Sequence, residues 1–361
     1  MNVSDFDSNM APLKGSETVL QWHKVDQQPF RLSGFPWYAE DKVFRRLPRV
    51  PEEPFPNSVE CLANCPAGGQ CAFQSNTRQI AVRVKLAGAA NMPHMPSTGQ
   101  CGFDLYVGPA GEEKFHAVTK YDHSRADYEV LLFDHTEETT RSFTLNFPLY
   151  QGVESLQIGL TPESQILPPV PYPIPGRIVC YGTSITQGGC ASRPGMAYTN
   201  ILSRFLNAEF VNLGFSGSGK GEPEVCRAFA RISDPRLFII DYEANVDCEQ
   251  LEITLPELVR ALREQHPRAP ILIVSRIAFA NDITHVARRL GRDAGQEIQR
   301  HFVENARANG DPFVFFLDGS TLLGKDFEEC TVDGIHPTDL GFLRMARGLE
   351  PVIRDILRRC S

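Results

Sequence analysis

The sequence predicts an α/β protein of two domains, in which a β-sandwich precedes a parallel sheet covered by helices on both faces. Three observations carry this prediction: strand-like segments up to about residue 160, a proline-rich segment, and apolar strands alternating with amphipathic helices beyond it. A chain of 361 residues also exceeds the size at which one core usually stops growing. We therefore expect domains at residues 1–166 and 177–361, joined by a linker at 167–176.

The N-terminal part is rich in short segments in which apolar and polar residues alternate, separated by Gly, Pro, Asn and Asp. These segments are QIAVRVKL, GFDLYVG, KFHAVTKY, YEVLLFDH, SFTLNFPLY and SLQIGL. Alternation with period two at this spacing is typical of a β-sandwich. The stretch LPPVPYPIPG, Leu167 to Gly176, then has five prolines in ten residues. Such a composition favours an extended linker.

The C-terminal part alternates strand and helix. The predicted strands are RIVCYG, EFVNLGF, RLFIIDYEAN, PILIVSRIAF and PFVFFLDGS. The predicted helices are MAYTNILSRFLNA, EPEVCRAFARIS, LPELVRALREQHP, GQEIQRHFVENARANG and LGFLRMARGLEPVIRDILRR. Because the strands are apolar throughout, they indicate a parallel sheet buried on both faces. Ligand sites of such sheets lie beyond the carboxyl ends of the strands.

The overall composition restricts the class of partner. A formal net charge of -8 argues against a dedicated nucleic-acid binder, since phosphate contacts need a concentrated Lys/Arg surface. The sequence has no apolar run long enough to span a membrane, and MNVSDFDSNMAPLKGSET has no signal-peptide core. We expect a cytoplasmic protein with a small-molecule partner, and neither nucleic acid nor membrane.

The ten cysteines lie in apolar contexts and are predicted to be free thiols. The alternative is a zinc site, for which Cys61, Cys65 and Cys71 would be joined by Cys101. The spacing C-x3-C-x5-C lacks the short knuckle of structural zinc sites, and Cys71 begins a strand-like run. We therefore expect no metal and no other cofactor.

Ser184 follows the first apolar strand of the C-terminal part, in YGTSITQGG. Together with Thr183 it could serve only as a helix cap. Near the end of the chain, however, TVDGIHPTDLG places Asp333 and His336 in one loop at another strand-to-helix junction. A serine hydroxyl needs a base, and the base needs a carboxylate to orient it. The other histidines of this half lack an Asp three residues earlier in a glycine-containing loop; they are His266, His285 and His301. The pattern predicts a Ser-His-Asp triad.

Acyl transfer also needs hydrogen-bond donors for the developing oxyanion. The second strand ends in NLGFSGSG and offers the backbone N–H of Gly214, while the third ends in DYEAN and offers the side chain of Asn245. Either residue could instead be a simple turn residue. Because both follow strands of one predicted sheet, we expect them to form an oxyanion hole with the N–H of Ser184.

These blocks resemble those of the SGNH hydrolases, the GDSL-type lipases and esterases. The matches are Ser184 in YGTSITQGG, Gly214 in NLGFSG, Asn245 in DYEAN, and Asp333 with His336 in DGIHP. The first block has Gly-Thr-Ser in place of Gly-Asp-Ser, and the third has Glu-Ala-Asn-Val in place of Gly-x-Asn-Asp. The resemblance implies a flavodoxin-like three-layer hydrolase domain and ester hydrolysis without a metal.

A second resemblance lies upstream. Gly102 to Tyr106 in CGFDLYVG look like the G-x-D-L-Y signature of the N-terminal β domain on one branch of these hydrolases. This resemblance implies a jelly-roll-like β-sandwich before the hydrolase domain. Other SGNH enzymes with such a domain look like deacetylases of plant or microbial sugars.

Two alternatives from other classes remain. The stretch GFSGSGKG, 214–221, fits the start of a phosphate-binding P-loop, but Gly221 stands where a hydroxyl residue would ligate Mg²⁺. The protein could also be a carbohydrate-binding module with an inactive hydrolase domain, since both tryptophans, Trp22 and Trp37, lie in the N-terminal half.

The loops next to the predicted nucleophile are small and polar. They are GGCASRPG and GSGKGEPE, and neither offers the apolar surface that a long acyl chain would need. We expect a serine esterase that acts on short acyl groups, such as acetyl, carried by a carbohydrate or another polar alcohol. Arg193 and Lys220 in these loops are the candidate substrate contacts.

Overall fold

The structure, a computed structural model, describes residues 3–360, and its N-terminal part is built around two antiparallel sheets. The strands are β1 (Gln21–Lys24), β2 (Arg31–Ser33), β3 (Gln70–Ser75), β4 (Gln79–Leu86), β5 (Asp104–Val107), β6 (Lys114–Val118), β7 (Asp127–Asp134), β8 (Arg141–Asn146), β9 (Val153–Leu160) and β10 (Ile166–Leu167). One sheet has the order β1-β9-β4-β7. The other has the order β10-β3-β8-β5-β6, with β2 paired to β3. Short helices lie between strands: α1 (Tyr38–Asp41), α2 (Asn57–Ala63) and α3 (Ser97–Gln100).

Alternation along the strands builds the core of this part. In β4, Val82, Val84 and Leu86 are buried, whereas Arg83 and Lys85 point to solvent. The inward residues of both sheets form one apolar cluster that is rich in phenylalanine. The β-rich N-terminal domain predicted from the period-two pattern is therefore confirmed.

The C-terminal part contains one parallel sheet. Its strands are β11 (Arg177–Gly182), β12 (Glu209–Gly214), β13 (Pro235–Asp241), β14 (Ile271–Val274) and β15 (Val314–Leu317). The helices are α4 (Ser184–Gln187), α5 (Tyr198–Leu206), α6 (Pro223–Ala230), α7 (Cys248–Gln265), α8 (Val286–Ala308) and α9 (Asp339–Arg359). The order β12-β11-β13-β14-β15 is that of flavodoxin-like sheets, with the first strand beside the second and the third.

Successive residues of each strand point to opposite faces, so the sheet has two separate cores. On β11, Ile178 and Cys180 pack with α5 and α9, while Val179 and Tyr181 pack with α6, α7 and α8. Most side chains of both cores are fully buried. The predicted α/β domain with helices on both faces is thus confirmed.

The N-terminal part contributes buried side chains to both of these cores. Leu47, Phe55 and Val59 are buried in the cluster on the α6 side of the sheet. Just before them, the fully buried Arg46 donates to the carbonyl of Gly214 at 2.5 Å. The two parts are therefore packed together well outside the proline-rich linker. β10 extends to Leu167, the first residue of the predicted linker, and the exact domain boundaries stay a prediction.

Helix α7 begins earlier than its sequence pattern indicated. The predicted helix LPELVRALREQHP starts at Leu255. It begins instead at Cys248, where the side chain of Asp247 caps the helix by accepting from the N–H of Gln250 at 2.8 Å. Within residues 3–360, no helix is both long and apolar enough to cross a membrane.

Candidate active site

Ser184 stands at the carboxyl edge of the parallel sheet, as the first residue of α4. The cap of this helix is Thr183, whose hydroxyl accepts from the N–H of Ile185 at 3.2 Å. Gly182 is needed just before it, because an added Cβ would overlap with the side chain of Thr186. Since Thr183 does the capping, the hydroxyl of Ser184 is available for another partner.

That partner is His336. Its Nε2 lies 2.8 Å from the Oγ of Ser184, and its Nδ1 lies 2.7 Å from Oδ2 of Asp333. An ionised carboxylate can only accept, so the proton of the neutral imidazole belongs on Nδ1, and Nε2 accepts from the serine hydroxyl. The structure therefore brings the three residues of the predicted triad into one hydrogen-bonded series.

Asp333 is held by its own loop. Its Oδ1 accepts from the backbone N–H groups of Ile335 at 3.0 Å and of His336 at 2.8 Å. Partial burial raises the pKa of Asp333, but the hydrogen bonds from His336 and Ile335 and the charge interaction with His336 outweigh it, and the net pKa is lowered. Asp333 is thus a carboxylate at neutral pH and can orient the imidazole.

Asn245 lies at the same edge, in the short helical turn that follows β13. One of its side-chain N–H groups donates to the carbonyl of Ser218, in the loop after β12. The amide carries two such hydrogens, so one donor remains for a ligand. The structure therefore brings the Asn245 amide to the loop that adjoins Ser184.

Gly214 is not available as a donor, which corrects the sequence interpretation. Its N–H donates to the side chain of Asn212 at 2.9 Å, and an added Cβ would overlap with the backbone of Gln187. Gly214 is the buried last residue of β12. It serves close packing between β12 and α4, with no room for a ligand atom.

A free and exposed donor of this loop lies three residues further on. The N–H of Ser216 donates to the side chain of Gln187 at 3.1 Å, and that of Ser218 donates to the carbonyl of Phe215 at 3.0 Å. Between them, the N–H of Gly217 has no hydrogen-bond partner within residues 3–360. Gly217 is exposed and has a φ of +65°, which favours glycine. Sequence reasoning missed it because it looked for the last glycine of the strand.

The N-terminal part contributes two side chains that the sequence did not reveal. The hydroxyl of Tyr150 lies 2.7 Å from Oγ of Ser216 and 3.3 Å from the carbonyl oxygen of Ser184. The Nε2 of His94 lies 3.5 Å from Oδ2 of Asp333. Both residues are distant along the chain from their partners, and no local motif marks them.

One group of side chains has the composition of a metal site. His94, Cys190, Asp333 and His336 offer ligand atoms that all lie within 4.8 Å of one another. Burial and the nearby Asp333 raise the pKa of the Cys190 thiol to about 11. A shared cation would also have to separate Asp333 from His336, which are now in hydrogen-bond contact.

The cysteines that the sequence offered as a zinc alternative are dispersed. Cys71 and Cys101 are buried in the apolar core of the N-terminal part, whereas Cys61 is exposed. Among the described residues, none of the four, including the buried Cys65, belongs to a group that could hold a metal ion.

Arg193 does not face the site, which corrects its interpretation as a substrate contact. Its guanidinium donates to Oδ2 of Asp104 at 2.8 Å and to the hydroxyl of Tyr106 at 2.6 Å. It also lies over the ring of Phe115, 3.8 Å from the ring centroid. The Arg193 side chain is only 17% exposed, so its charge serves the contact between the two parts of the molecule.

The loop that resembled a P-loop has a carboxylate in it. Glu222 accepts from the N–H of Lys220 at 2.8 Å and from the hydroxyl of Tyr181 at 2.5 Å. A P-loop instead leaves its backbone N–H groups free to surround phosphates. The geometry therefore does not favour nucleotide binding. Lys220 itself is half-buried, and its contact with substrate stays a prediction.

A second carboxyl group lies beneath the nucleophile helix. Asp241, the buried last residue of β13, accepts from the hydroxyls of Tyr198 at 3.0 Å and Thr186 at 3.3 Å. Burial raises the pKa of Asp241 to about 7, against the opposing effect of these hydrogen bonds. Its partners are hydroxyl groups, and it makes no contact with His336 in the described structure.

Comparison with known proteins matches both parts of the chain. Residues 176–354 match the model of the GDSL-like lipase/acylhydrolase family, and residues 20–166 match the model described as the N-terminus of the SGNH-hydrolase-type esterases. No curated protein matches the sequence.

Several solved structures are similar over nearly the whole chain. A protein from Bacteroides ovatus ATCC 8483 described as a GDSL-like lipase is 31% identical, with a TM-score of 0.86 over 94% of this chain and 98% of that chain. The salicylyl-acyltransferase SsfX3 of a tetracycline biosynthetic pathway is 16% identical, with a TM-score of 0.73 over 93% and 97%. A family two carbohydrate esterase from Clostridium thermocellum, in complex with cellohexaose, is 16% identical, with a TM-score of 0.58 over 81% and 93%.

Proposed function

The chain belongs to the GDSL-like lipase/acylhydrolase family and is an SGNH-type ester hydrolase, and from this premise we propose that it hydrolyses short acyl esters of a polar alcohol through Ser184, His336 and Asp333. The observation that carries the proposal is the hydrogen-bonded series from Ser184 through His336 to Asp333. It lies at the carboxyl edge of the sheet, where ligands of this fold bind.

In the first half of the reaction, the Oγ of Ser184 attacks the acyl carbon while Nε2 of His336 takes its proton. The imidazolium that forms is stabilised by Asp333, whose lowered pKa keeps it charged. Collapse of the tetrahedral intermediate expels the alcohol, which receives the proton from His336. Water then attacks the acyl-enzyme with His336 again acting as base, and Ser184 is regenerated.

The oxyanion needs donors that are free before substrate binds. We assign this role to the second amide hydrogen of Asn245 and to the unpartnered N–H of Gly217, together with the N–H of Ser184. The carbonyl of Ser218 holds the Asn245 amide in place, so little reorganisation is needed during the reaction. Gly217 thereby replaces Gly214 in the predicted oxyanion hole.

The proposed substrate is a carbohydrate, or another polar alcohol, that carries an acetyl or similarly short acyl group. The side chains around the triad include the polar Tyr150 and Ser216 near Ser184, and His94 near Asp333. Such a lining favours a hydroxyl-rich alcohol over a long acyl chain. The carbohydrate esterase among the similar structures supports the same substrate class.

The test is a matched ester series. Acetyl, butyryl and octanoyl esters of one activated phenol measure the preference for acyl length. Acetylated xylose and acetylated glucose measure the preference for the alcohol. We expect the acetyl ester to have the highest kcat/KM and Ser184→Ala to lose turnover of every ester. Preference for octanoyl would contradict the short-acyl assignment. A folded wild type inactive on every ester would instead favour a carbohydrate-binding protein with an inactive hydrolase domain.

The same incubations separate hydrolysis from transfer, because one structurally similar protein is an acyltransferase. With a sugar alcohol added in excess, a hydrolase releases free acid, whereas a transferase forms a new ester. We propose that this protein hydrolyses its substrate.

We also propose that the domains have the bounds predicted above and that the N-terminal domain is jelly-roll-like.

A further inference from the structure

The G-x-D-L-Y signature lies on β5, at the contact between the two parts of the molecule. Because residues of a strand alternate, Phe103 and Leu105 enter the core of the N-terminal part. Asp104 and Tyr106 lie on the opposite face, and both contact Arg193 of the hydrolase part. The signature thus places one acid and one phenol on the same side of a strand.

We propose that Asp104, Tyr106 and Arg193 form an interdomain clamp that positions His336 against Ser184, so that the N-terminal domain is needed for turnover and not only for stability. This proposal rests on the proposed function, since it concerns the alignment of the same two residues. It gives the signature a role in the reaction of the other domain.

The carboxylate of Asp104 is fully buried, and it accepts each of its hydrogen bonds from a protein donor. Its Oδ2 accepts from Arg193 and from the N–H of Gly195, each at 2.8 Å, and its Oδ1 accepts from the side chain of Asn146 at 2.8 Å. A buried charge is tolerated only with such pairing. The same carboxylate therefore fixes both a side chain and the backbone of the segment 193–195.

The held segment leads back to the reacting groups. The N–H of Ser192 donates to Oδ1 of Asp339 at 2.9 Å, and Asp339 begins α9 only three residues after His336. Towards Ser184, the N–H of Gly189 donates to the Ser184 carbonyl at 2.8 Å. A Cβ placed on Gly189 would come within 3.1 Å of the His336 ring, so the loop backbone lies directly against the imidazole.

The glycine of the signature serves the same contact. A side chain at Gly102 would overlap with the carbonyl of Thr98. Thr98 in turn donates from its hydroxyl to the carbonyl of Ser192 at 2.6 Å. Gly102 thus supports this loop indirectly through Thr98, whereas Asp104 and Tyr106 contact it directly through Arg193.

The test compares two variants that each remove the charge from a well-paired aspartate. Asp104→Asn weakens the clamp. Asp311→Asn is the matched control, because Asp311 pairs with Arg263 at 2.7 Å at the opposite edge of the sheet, and both side chains are largely buried. For each variant we would measure the thermal midpoint, kcat and KM on an acetyl ester, and the rate at which a fluorophosphonate modifies Ser184.

We expect both variants to melt earlier than wild type, but only Asp104→Asn to lower kcat, by roughly 10²-fold with little change in KM, as for a small misplacement of reacting groups. Labelling of Ser184 should slow in parallel. Equal kcat in folded Asp104→Asn and wild type would overturn the clamp, as would a loss matched by Asp311→Asn.

If Asp104→Asn does not fold, Tyr106→Phe decides, because it keeps the ion pair and removes only the hydroxyl that Arg193 contacts. A several-fold lower kcat at unchanged KM supports the clamp, and wild-type kcat overturns it. A wild-type protein that hydrolyses no ester would overturn the proposed function. An active wild type with an equally active Asp104→Asn would overturn only the clamp.

Discussion

Two aspartates at the same edge of the parallel sheet have opposite electrostatic surroundings. Asp333 lies in a partly exposed loop and accepts from two backbone N–H groups and an imidazole, and its pKa is lowered. Asp241 is buried at the end of β13 and accepts only from hydroxyls, and its pKa is raised to about 7. The two aspartates occupy similar positions in the fold, so the difference between their pKa values comes from their hydrogen-bond donors and from burial.

The two aspartates have different surroundings because only Asp333 contacts the imidazole of His336. A second carboxylate close to His336 would compete for the imidazole and repel the first. Asp241 is instead enclosed with Tyr198 and Thr186 under the nucleophile helix, where it contributes to packing. We thus assign Asp333 to the proposed reaction and Asp241 to the support of α4.

The largest expected effect on turnover comes from the substitution of Asp333. Asp333→Asn keeps the shape of the carboxylate but favours the wrong tautomer of His336, so we expect kcat to fall by about 10⁴-fold. Steady-state kinetics on an acetyl ester, with circular dichroism to establish folding, measures it. Near-wild-type kcat in the folded variant would remove Asp333 from the mechanism. Asp241→Asn is the control and should retain kcat within several-fold.

The next effect concerns the donors that face the substrate. Asn245→Ala removes an amide used mainly in the transition state, and we expect kcat to fall by about 10²–10³-fold with little change in KM. Asn245→Asp, which keeps the size and loses the donor, should be at least as impaired. A raised KM with unchanged kcat would make Asn245 a ground-state contact.

The raised pKa of Asp241 should make the free energy of unfolding depend on pH. Well below pH 4, Asp241 is protonated in both folded and unfolded chains and contributes no pH dependence. Between about pH 4 and pH 7 the unfolded chain loses this proton first, so the folded state is destabilised as the pH rises, by up to roughly 4 kcal/mol. Asp241→Asn should remove this loss.

Urea unfolding at pH 5 and pH 8 measures the difference between wild type and Asp241→Asn. We expect the variant to gain stability relative to wild type at pH 8. The lowered pKa of Asp333 has the opposite sign, so its contribution is present at neutral pH and is lost on acidification. Asp333→Asn should therefore be less stable than wild type at pH 8. The same sign for both variants would contradict the comparison.

The smallest effect separates the two histidines near Asp333. His336 contacts Oδ2 at 2.7 Å, whereas His94 lies 3.5 Å from the same atom and is more exposed. We expect His94→Gln to lower kcat by less than about tenfold, far less than His336→Ala, because only His336 reaches Ser184. Equal losses in the two variants, measured with the acetyl ester, would show that the longer contact is also essential.

The predicted site residues that the structure brings together share one property, which is a position that simple rules determine. Ser184 follows a strand of a parallel sheet, and Asp333 and His336 lie in one loop, so strand order and local spacing suffice to bring them together. The N-terminal β domain and the parallel sheet followed from periodicity for the same reason.

The errors arose where a role depends on a hydrogen-bond partner that spacing does not reveal. Arg193 seemed free until the remote Asp104 was placed beside it, and the N–H of Gly214 seemed free until the side chain of its near neighbour Asn212 turned back onto it. His94 and Tyr150 reach the site from another domain. Such contacts depend on tertiary packing, which neither propensity nor spacing encodes.

The most direct test of the central claim is to identify the residue that a fluorophosphonate modifies. The serine oxygen bonds to phosphorus and fluoride leaves, so peptide mapping by mass spectrometry locates the nucleophile and activity reports its loss. We expect one adduct per chain, on Ser184, in step with complete inhibition. Ser184→Ala should form no adduct, and His336→Ala should form it much more slowly. Full inhibition with the adduct on another residue, or turnover that persists after Ser184 is fully modified, would contradict it.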